Sequence, residues 1–269
     1  MTKPKREKSS NSLNQLFSLV ISIGLVLAGF NSAAQAVDPT PTASPSVSQS
    51  PTPTLDPTPT PDPYPTSTPT NSPTSIPRPN IQSASSPWVV VNKKRPLNPI
   101  RYAPKPLVNV NGTPLAKDAA AALRLMAADM KKAGAGTLWL NSGYRSFETQ
   151  TQVHARQVAR LGKAAGERLA ARPGYSEHQT GLAADVSAIG QGCAIQVCFA
   201  RTTAGRWLAA NSWQYGWILR YEDGQTSVTG YQFEPWHFRF VGVELATDYK
   251  SRGVKSLEAF WNLPPAPNY

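Results

Sequence analysis

The sequence predicts an α+β fold, in which a single small domain has a short, mostly antiparallel sheet flanked by helices and follows a disordered spacer. Apolar residues recur with helical spacing in a few segments, such as residues 116–133. Short apolar runs of strand length lie among those segments without the regular strand–helix alternation of a doubly wound sheet. A stretch rich in proline, threonine and serine precedes all of these elements.

The first 36 residues have the features of an export signal. A basic start is followed by a largely apolar run at residues 16–30 and by the small-residue triplet Ala34-Gln35-Ala36. The apolar run is short for a membrane-spanning helix, which needs about 20 residues. We expect a cleaved signal, with a retained N-terminal anchor as the alternative, and export to the periplasm or cell wall.

Residues 37–83 form the predicted disordered linker. Repeated proline fixes φ and removes backbone donors, so neither a sheet nor a long helix is expected there. The apolar surface is also too small to offset the entropy of the chain. We expect an extended, inert spacer, with glycosylation of its hydroxyl side chains as an alternative.

Residues 84–269 are long enough for one folded domain with a core of its own. The predicted signal contributes +3 and the linker −2 to the formal charge of +11, which leaves +10 on the domain. A basic exported domain is attracted to anionic polymers, here the cell wall or a membrane surface. No aromatic-rich basic helix or zinc-finger spacing indicates a nucleic-acid partner, and we expect a monomer.

The elements of this domain are predicted in chain order. Residues 116–133 form the first helix, with Leu123 and Met126 on its apolar stripe, and a strand follows at 137–140. Ser146 is predicted to cap a second helix that ends near residue 160. The later elements are a helix at 163–171, a strand at 182–186, a helix at 203–212, and strands at 217–221 and 234–241.

The only two cysteines, Cys193 and Cys198, are five positions apart. Two nearby cysteines in an exported chain predict one local disulfide that closes a short loop. A zinc-binding CxxxxC pair is the alternative. It is disfavoured because histidine and aspartate ligands are present elsewhere.

Two histidine-containing stretches predict a metal site. SEHQTGLAADVS holds His178 and Asp185, and FEPWHFRF holds Glu234 and His237. Two imidazoles and one carboxylate, with a fourth position open, are what a catalytic Zn²⁺ requires. Such a zinc lowers the pKa of its water to about 7, and Glu234 is the remaining carboxylate that can take the proton.

The spacing of Glu234 and His237 demands a local irregularity. Residues three apart on a regular strand face opposite sides of the sheet, so these two would not share a site. Pro235 excludes the interior of a helix, where they would. We therefore expect a bend or bulge at the start of the strand, where proline is tolerated.

Three blocks in order resemble the zinc D-alanyl-D-alanine carboxypeptidase family of the VanY type. They are SGYRS at 142–146, SEHQTGLAAD at 176–185 and EPWH at 234–237, within a similarity that spans about residues 95–245. The resemblance implies zinc-dependent hydrolysis of the terminal D-Ala-D-Ala bond of peptidoglycan stem peptides, with release of D-Ala. Some relatives are dipeptidases or endopeptidases, so the resemblance specifies the reaction type better than the bond.

The resemblance also implies roles for individual residues. The matched zinc ligands are His178, Asp185 and His237. Glu234 matches the catalytic base, and Arg145 matches an active-site arginine that either stabilises the oxyanion or binds the terminal carboxylate of the substrate.

Three more positions are expected at the substrate site. They are Gln152, Ser176 and Trp236. Their alternative interpretations are a helix-surface residue, a turn cap and a core residue, respectively. His154 matches no ligand position and is interpreted as a solvated helix residue.

Two other functions remain open at the level of sequence. A peptidoglycan endopeptidase or D,D-dipeptidase would share this fold and differ in its product. A non-catalytic cell-wall-binding module would use the basic charge and the long spacer equally well. A serine-nucleophile enzyme is not supported, because the chain has no SxxK motif.

Overall fold

The computed structural model of the protein describes residues 79–269. The predicted signal at 1–36 and most of the predicted linker at 37–83 lie outside the described residues. Among the helices that are described, none has the length and apolar character needed to cross a membrane.

The described region combines short strands with helices of one to four turns. The strands are β1 Leu107–Val110, β2 Thr113–Ala116, β3 Leu138–Ser142, β4 Ala183–Ala188, β5 Trp217–Leu219 and β6 His237–Phe240. The α-helices are α1 Lys117–Lys132, α2 Phe147–Leu161, α3 Lys163–Gly166, α4 Thr203–Asn211, α5 Thr226–Thr229, α6 Val243–Ser251 and α7 Leu257–Phe260. Three 3₁₀ helices lie at Glu177–Thr180, Val197–Arg201 and Ser212–Tyr215.

The strands form a β1–β2 hairpin and a four-stranded sheet in the order β3-β4-β6-β5, with every pair antiparallel. This architecture confirms the predicted α+β class. Asp185 on β4 lies opposite His237 on β6, and Ser142 on β3 lies opposite Asp185 after a register shift that follows Leu140. The centre of the sheet thus aligns three segments that are distant in sequence.

The longest helix forms because its apolar residues share one face. Leu123, Met126 and Met130 of α1 are fully buried in one hydrophobic cluster with Trp217 and Phe238 from the sheet. Burial of each such side chain contributes roughly 1.5–3 kcal/mol.

The second helix begins where the sequence predicts. The Ser146 side chain accepts a hydrogen bond from the Thr149 amide, which is the capping contact expected of a serine at this position. The helix that follows is shorter than predicted and ends at Gly166, with turns at residues 167–169. Pro173 disfavours helical backbone at the residue before it, and a second turn follows, in which the Tyr175 amide donates to the Arg172 carbonyl oxygen at 3.0 Å.

The last strand of the sheet begins at His237, three residues later than predicted. Pro235 and Trp236 form a turn instead, and the His237 amide donates to the Glu234 carbonyl oxygen across 3.0 Å. This turn is the irregularity that the spacing of Glu234 and His237 demands.

Residues assigned to the spacer by composition take part in the fold. The Ile81 carbonyl oxygen accepts hydrogen bonds from the Val90 amide and from Nη2 of Arg95, both at 3.0 Å. The folded part of the chain therefore includes residues before the predicted boundary at 84.

Candidate active site

The three predicted metal ligands converge at the middle of the sheet. His178 lies in the 3₁₀ turn before β4, Asp185 lies on β4, and His237 is the first residue of β6. Their candidate donor atoms all lie within 4.8 Å of one another, and all three residues are buried. Asp185 Oδ2 is 3.1 Å from His178 Nε2, and Asp185 Oδ1 is 3.0 Å from His237 Nδ1.

The site suits a zinc ion by its donor set and by the surroundings of the two imidazoles. His178 Nε2 is buried and makes no hydrogen bond of good geometry, as expected of a nitrogen that ligates a metal. The other nitrogen of each ring is held, His178 Nδ1 by the Gly143 carbonyl oxygen at 2.7 Å and His237 Nε2 by Glu177 Oε2 at 3.4 Å. Ligand histidines are oriented in this way in metal sites.

The SGYRS segment positions His178 through its backbone. The Gly143 carbonyl accepts from the His178 ring, and the Arg145 amide donates to the His178 carbonyl oxygen at 3.1 Å. A Cβ atom on Gly143 would lie 2.4 Å from the Pro114 carbonyl oxygen, so a side chain at this position would displace the segment. The glycine thus permits the close approach of β2 on which the histidine contact depends.

The pKa values of the two imidazoles are shifted in opposite directions. Burial and the Arg145 charge lower the pKa of His178 to about 4, against the attraction of Asp185. Burial would also lower the pKa of His237, but hydrogen bonds to Asp185 and Glu177 outweigh it and raise the pKa to about 9. Although burial opposes ionisation of Asp185, the neighbouring His178 and His237 imidazoles hold its pKa well below the ordinary value.

The Glu234 carboxylate lies beside the three candidate ligands and makes no hydrogen bond to the His237 ring. Its Oε2 is 3.8 Å from His237 Nδ1, and the residue is 5% exposed. Burial raises the pKa of Glu234 to about 8, although His237 and Arg145 oppose the shift. A carboxyl group whose pKa lies near neutrality can both accept and donate a proton in one catalytic cycle.

Arg145 brings a positive charge to the same cavity. Its Nε is buried without a hydrogen-bond partner, and burial lowers the pKa of the guanidinium against the pull of Asp185 and Glu234. A buried donor without a partner is costly. An anionic group in the cavity would supply the missing hydrogen-bond acceptor for this guanidinium.

The cavity around these residues has a volume of about 370 Å³. Ser176 and Trp236, two of the residues expected at the substrate site, line it, and the Ser176 side chain makes no capping hydrogen bond. Trp236 is 4% exposed and also belongs to the main hydrophobic cluster, so it serves as both core and cavity wall.

Gln152 is not brought to the cavity. It is exposed on α2, whereas Gln150, two residues earlier, is buried and donates from Nε2 to the Ala171 carbonyl oxygen at 2.7 Å. On this helix, Gln157 rather than Gln152 lines the cavity. His154 also stays outside the cavity lining, with Nε2 3.6 Å from Glu167 Oε1, and it is less exposed than the solvated residue expected.

A buried charge network behind the metal site has no counterpart in the sequence predictions. Glu177 Oε1 accepts from Arg220 Nε and from Arg239 Nη1, both at 2.9 Å, while Glu177 Oε2 faces His237. Arg220 also binds both oxygens of Glu258, at 2.8 and 3.0 Å, and Glu258 accepts from Asn92. The sequence did contain one indication of buried charge. Arg220 directly follows the apolar strand β5, and Arg239 lies between two phenylalanines in β6.

The two cysteines are joined in a disulfide that closes the loop between Cys193 and Cys198. They are therefore not a zinc pair. The tip of this loop, at Ile195, Gln196 and Val197, borders the cavity that holds the metal ligands.

Comparison with known proteins agrees with the resemblance that the three sequence blocks indicate. Residues 112–243 match the family model of VanY, D-alanyl-D-alanine carboxypeptidase. YodJ of Bacillus subtilis is 36% identical over 176 residues, which cover 62% of this chain and 64% of that protein. The chain spans less than two thirds of the length of the curated relatives it matches.

Solved structures are similar to this chain in sequence and fold. The LD-carboxypeptidase LdcB superposes with a TM-score of 0.61 at 33% identity, covering 66% of this chain and 87% of that one. A variant of the D,D-pentapeptidase VanY in complex with Zn(II) superposes with a TM-score of 0.56 at 33% identity, covering 65% of this chain and 98% of that one. With three sequence blocks, one convergent set of ligands and these matches in agreement, the chain belongs to the VanY family of D-alanyl-D-alanine carboxypeptidases.

Proposed function

We propose that this protein is a zinc-dependent carboxypeptidase that hydrolyses the terminal D-Ala-D-Ala bond of peptidoglycan stem peptides and releases D-Ala. The observation that carries the proposal is the convergence of His178, Asp185 and His237, with Glu234 Oε2 only 3.8 Å from His237 Nδ1. Three ligands beside an unused carboxylate and an unpaired arginine are suited to hydrolysis of a peptide bond. The VanY structure with bound Zn(II) supports the choice of metal.

The ligands His178, Asp185 and His237 would hold the zinc, with Gly143 and Glu177 fixing the two imidazole rings. When bound, zinc supplies a Lewis acid that activates the attacking water and polarises the scissile carbonyl. Each ring is held through the nitrogen that would not bind the metal, which favours one ring orientation in each case.

Glu234 moves the proton in this scheme. Its carboxylate accepts one proton from the water as the water oxygen bonds to the carbonyl carbon. It then donates that proton to the amide nitrogen as the carbon–nitrogen bond breaks, which yields a carboxylic acid and free D-Ala. Burial raises the pKa of Glu234, so its carboxylate is a stronger base than an exposed carboxylate when it takes the proton from water.

Arg145 contributes the positive charge of the cavity in either of two ways. Its guanidinium binds the terminal carboxylate of the peptide, or it stabilises the oxyanion that forms on the carbonyl oxygen. Ser176 and Trp236 line the same cavity and complete the proposed substrate site.

An L,D-carboxypeptidase is a second candidate. LdcB, named as an LD-carboxypeptidase, is as similar in sequence as VanY and has a TM-score of 0.61. Such an enzyme would remove D-Ala from a tetrapeptide, where the residue before the cleaved bond has the L configuration. Endopeptidase, D,D-dipeptidase and wall-binding functions are further outcomes that the same experiment separates.

The test is incubation of the purified full-length protein with muramyl pentapeptide and muramyl tetrapeptide, with and without a chelator, followed by mass measurement. We expect chelator-sensitive loss of one alanine from the pentapeptide. Loss from the tetrapeptide alone would establish the L,D activity, and loss of D-Ala-D-Ala the dipeptidase. Cleavage inside the peptide would establish the endopeptidase. If the protein contains zinc but leaves every wall peptide intact, the result would favour a binding module.

We also propose that the protein acts outside the cytoplasm, in the periplasm or cell wall. The export-signal features of residues 1–36, the linker composition of residues 37–83 and the wall substrate support this location. N-terminal sequencing of the protein from cell fractions tests it. A start near residue 37 in the wall or periplasmic fraction is expected, an intact N-terminus there would indicate a retained anchor, and cytoplasmic recovery of the intact chain would refute it.

A further inference from the structure

The disulfide-closed loop at residues 193–198 has no part in the proposed hydrolysis, yet its tip borders the reaction cavity. Ile195 and Val197 line the cavity with aliphatic side chains that are 42% and 52% exposed as residues. Exposed aliphatic groups at the edge of a polar site are characteristic of surfaces that contact a ligand.

The backbone of this loop adopts an uncommon conformation. Cys193 and Ile195 have φ angles of +57° and +54°, values that are disfavoured for residues with a side chain and most of all for a β-branched one. Such conformations persist where the surrounding structure imposes them, and they occur preferentially at ligand sites.

The segments that flank the loop are fixed to the core. Phe199 is fully buried, and Cys193 packs against the same hydrophobic cluster. The Gln191 side chain donates to the Ala135 carbonyl oxygen at 2.8 Å and accepts from the Ala204 amide at 3.0 Å. With both ends held and the disulfide closed, the tip presents a fixed apolar surface to the cavity.

The loop lies at the exposed rim of the cavity, and the metal ligands lie at its buried floor. His178 and His237 are 2% and 3% exposed, in contrast to the loop tip. A peptide that is cut at its carboxyl end places its last residues at the floor, so its preceding residues must extend toward the rim.

We propose that this loop is a specificity-determining subsite, which binds an aliphatic portion of a peptide residue on the amino-terminal side of the cleaved bond. This inference rests on the proposed carboxypeptidase function and goes beyond it by naming the part of the substrate that is recognised. The subsite makes the protein favour long stem peptides over short acyl dipeptides that share the same two terminal residues.

The test compares the full-length wild type with a double variant, Ile195→Ser with Val197→Ser. The matched control is Ile189→Ser, because Ile189 is 59% exposed and does not line the cavity. Each protein is assayed on the muramyl peptide that the wild type cleaves and on an N-acetyl dipeptide with the same two terminal residues. Zinc content and melting temperature verify that each variant is folded and loaded.

We measure preference as the kcat/KM for the long peptide divided by the kcat/KM for the dipeptide. We expect this ratio to be roughly tenfold lower in the double variant than in the wild type, mainly because KM for the long peptide rises. The variant Cys193→Ser with Cys198→Ser should lose preference in the same direction, because the tip is no longer held. An unchanged preference in the folded double variant, or an equal loss in Ile189→Ser, would overturn the inference alone. A wild type that cleaves neither peptide would overturn the proposed function and the inference with it.

Discussion

Glu177 Oε2 lies 3.4 Å from Nε2 of His237, the ring nitrogen that does not face Asp185. The same carboxylate is held by Arg220 and Arg239 through its other oxygen. Glu177 therefore links the proposed zinc ligand His237 to a buried charge network and holds the orientation of its ring.

The first prediction concerns Glu177→Gln, which removes the charge next to His237. We expect zinc affinity to fall by about 10–100-fold, the usual effect of losing a partner of a ligand histidine. Competition with a fluorescent chelator measures this. Glu258→Gln is the control, because it disturbs the same network without contacting His237. Equal effects of the two variants on zinc affinity would contradict a positioning role for Glu177.

The second prediction concerns the pH dependence of zinc binding. Because hydrogen bonds to Asp185 and Glu177 outweigh burial, the pKa of His237 is about 9, and the metal-free site keeps a proton there at neutral pH. Zinc must displace that proton, so apparent affinity should rise with pH by about tenfold per unit until about pH 9. Calorimetry in buffers of different ionisation enthalpy should show proton release at pH 7. Affinity that does not change with pH would refute this account.

The third prediction concerns Glu234→Gln, which keeps the shape of the side chain and removes its basicity. We expect kcat to fall by roughly 10²–10⁴-fold while one zinc per chain is retained. Metal analysis and steady-state kinetics together measure the two effects. Glu244→Gln on the exposed face of α6 is a control for charge alone. A Glu234→Gln variant that retained full turnover would show that another group transfers the proton.

The fourth prediction concerns Gly143→Ala. The added methyl group would lie 2.4 Å from the Pro114 carbonyl oxygen, so the segment must shift and the Gly143 carbonyl must move away from His178. We expect a loss of about 1–3 kcal/mol in the free energy of unfolding, as for other overpacked sites, together with weaker zinc binding. Thermal unfolding with and without zinc checks both effects. Wild-type stability and zinc affinity would show that the segment has room to adjust.

The convergence of His178, Asp185 and His237 was predictable from sequence because two imidazoles and one carboxylate form a donor set that suits zinc. The bend before His237 was predictable as well, since the chemistry and Pro235 together exclude a regular strand.

The network around Glu177 was not predictable, because charged residues are normally exposed. Arg220 and Arg239 are at most 1% exposed, and Glu258, which pairs with Arg220, lies 38 residues from it in sequence. Pairings at that distance depend on the final packing of the sheet against α7. Gln152 was misplaced for a related reason: two positions along a helix rotate a side chain by about 200°, and spacing alone did not define which face of α2 was buried.

The contacts of Asn92 and Glu258 set the limits of any shortened version of this protein. Both residues lie outside the 112–243 region shared with the family, and they bind each other at 2.9 Å. Arg239 likewise donates to the carbonyl oxygens of Pro87 and Val89. A fragment trimmed to the shared region would remove Glu258 from Arg220 and two carbonyl acceptors from Arg239, and would leave Glu177 as the carboxylate partner of both. Truncation boundaries chosen for engineering should therefore precede Ile81 and follow Phe260.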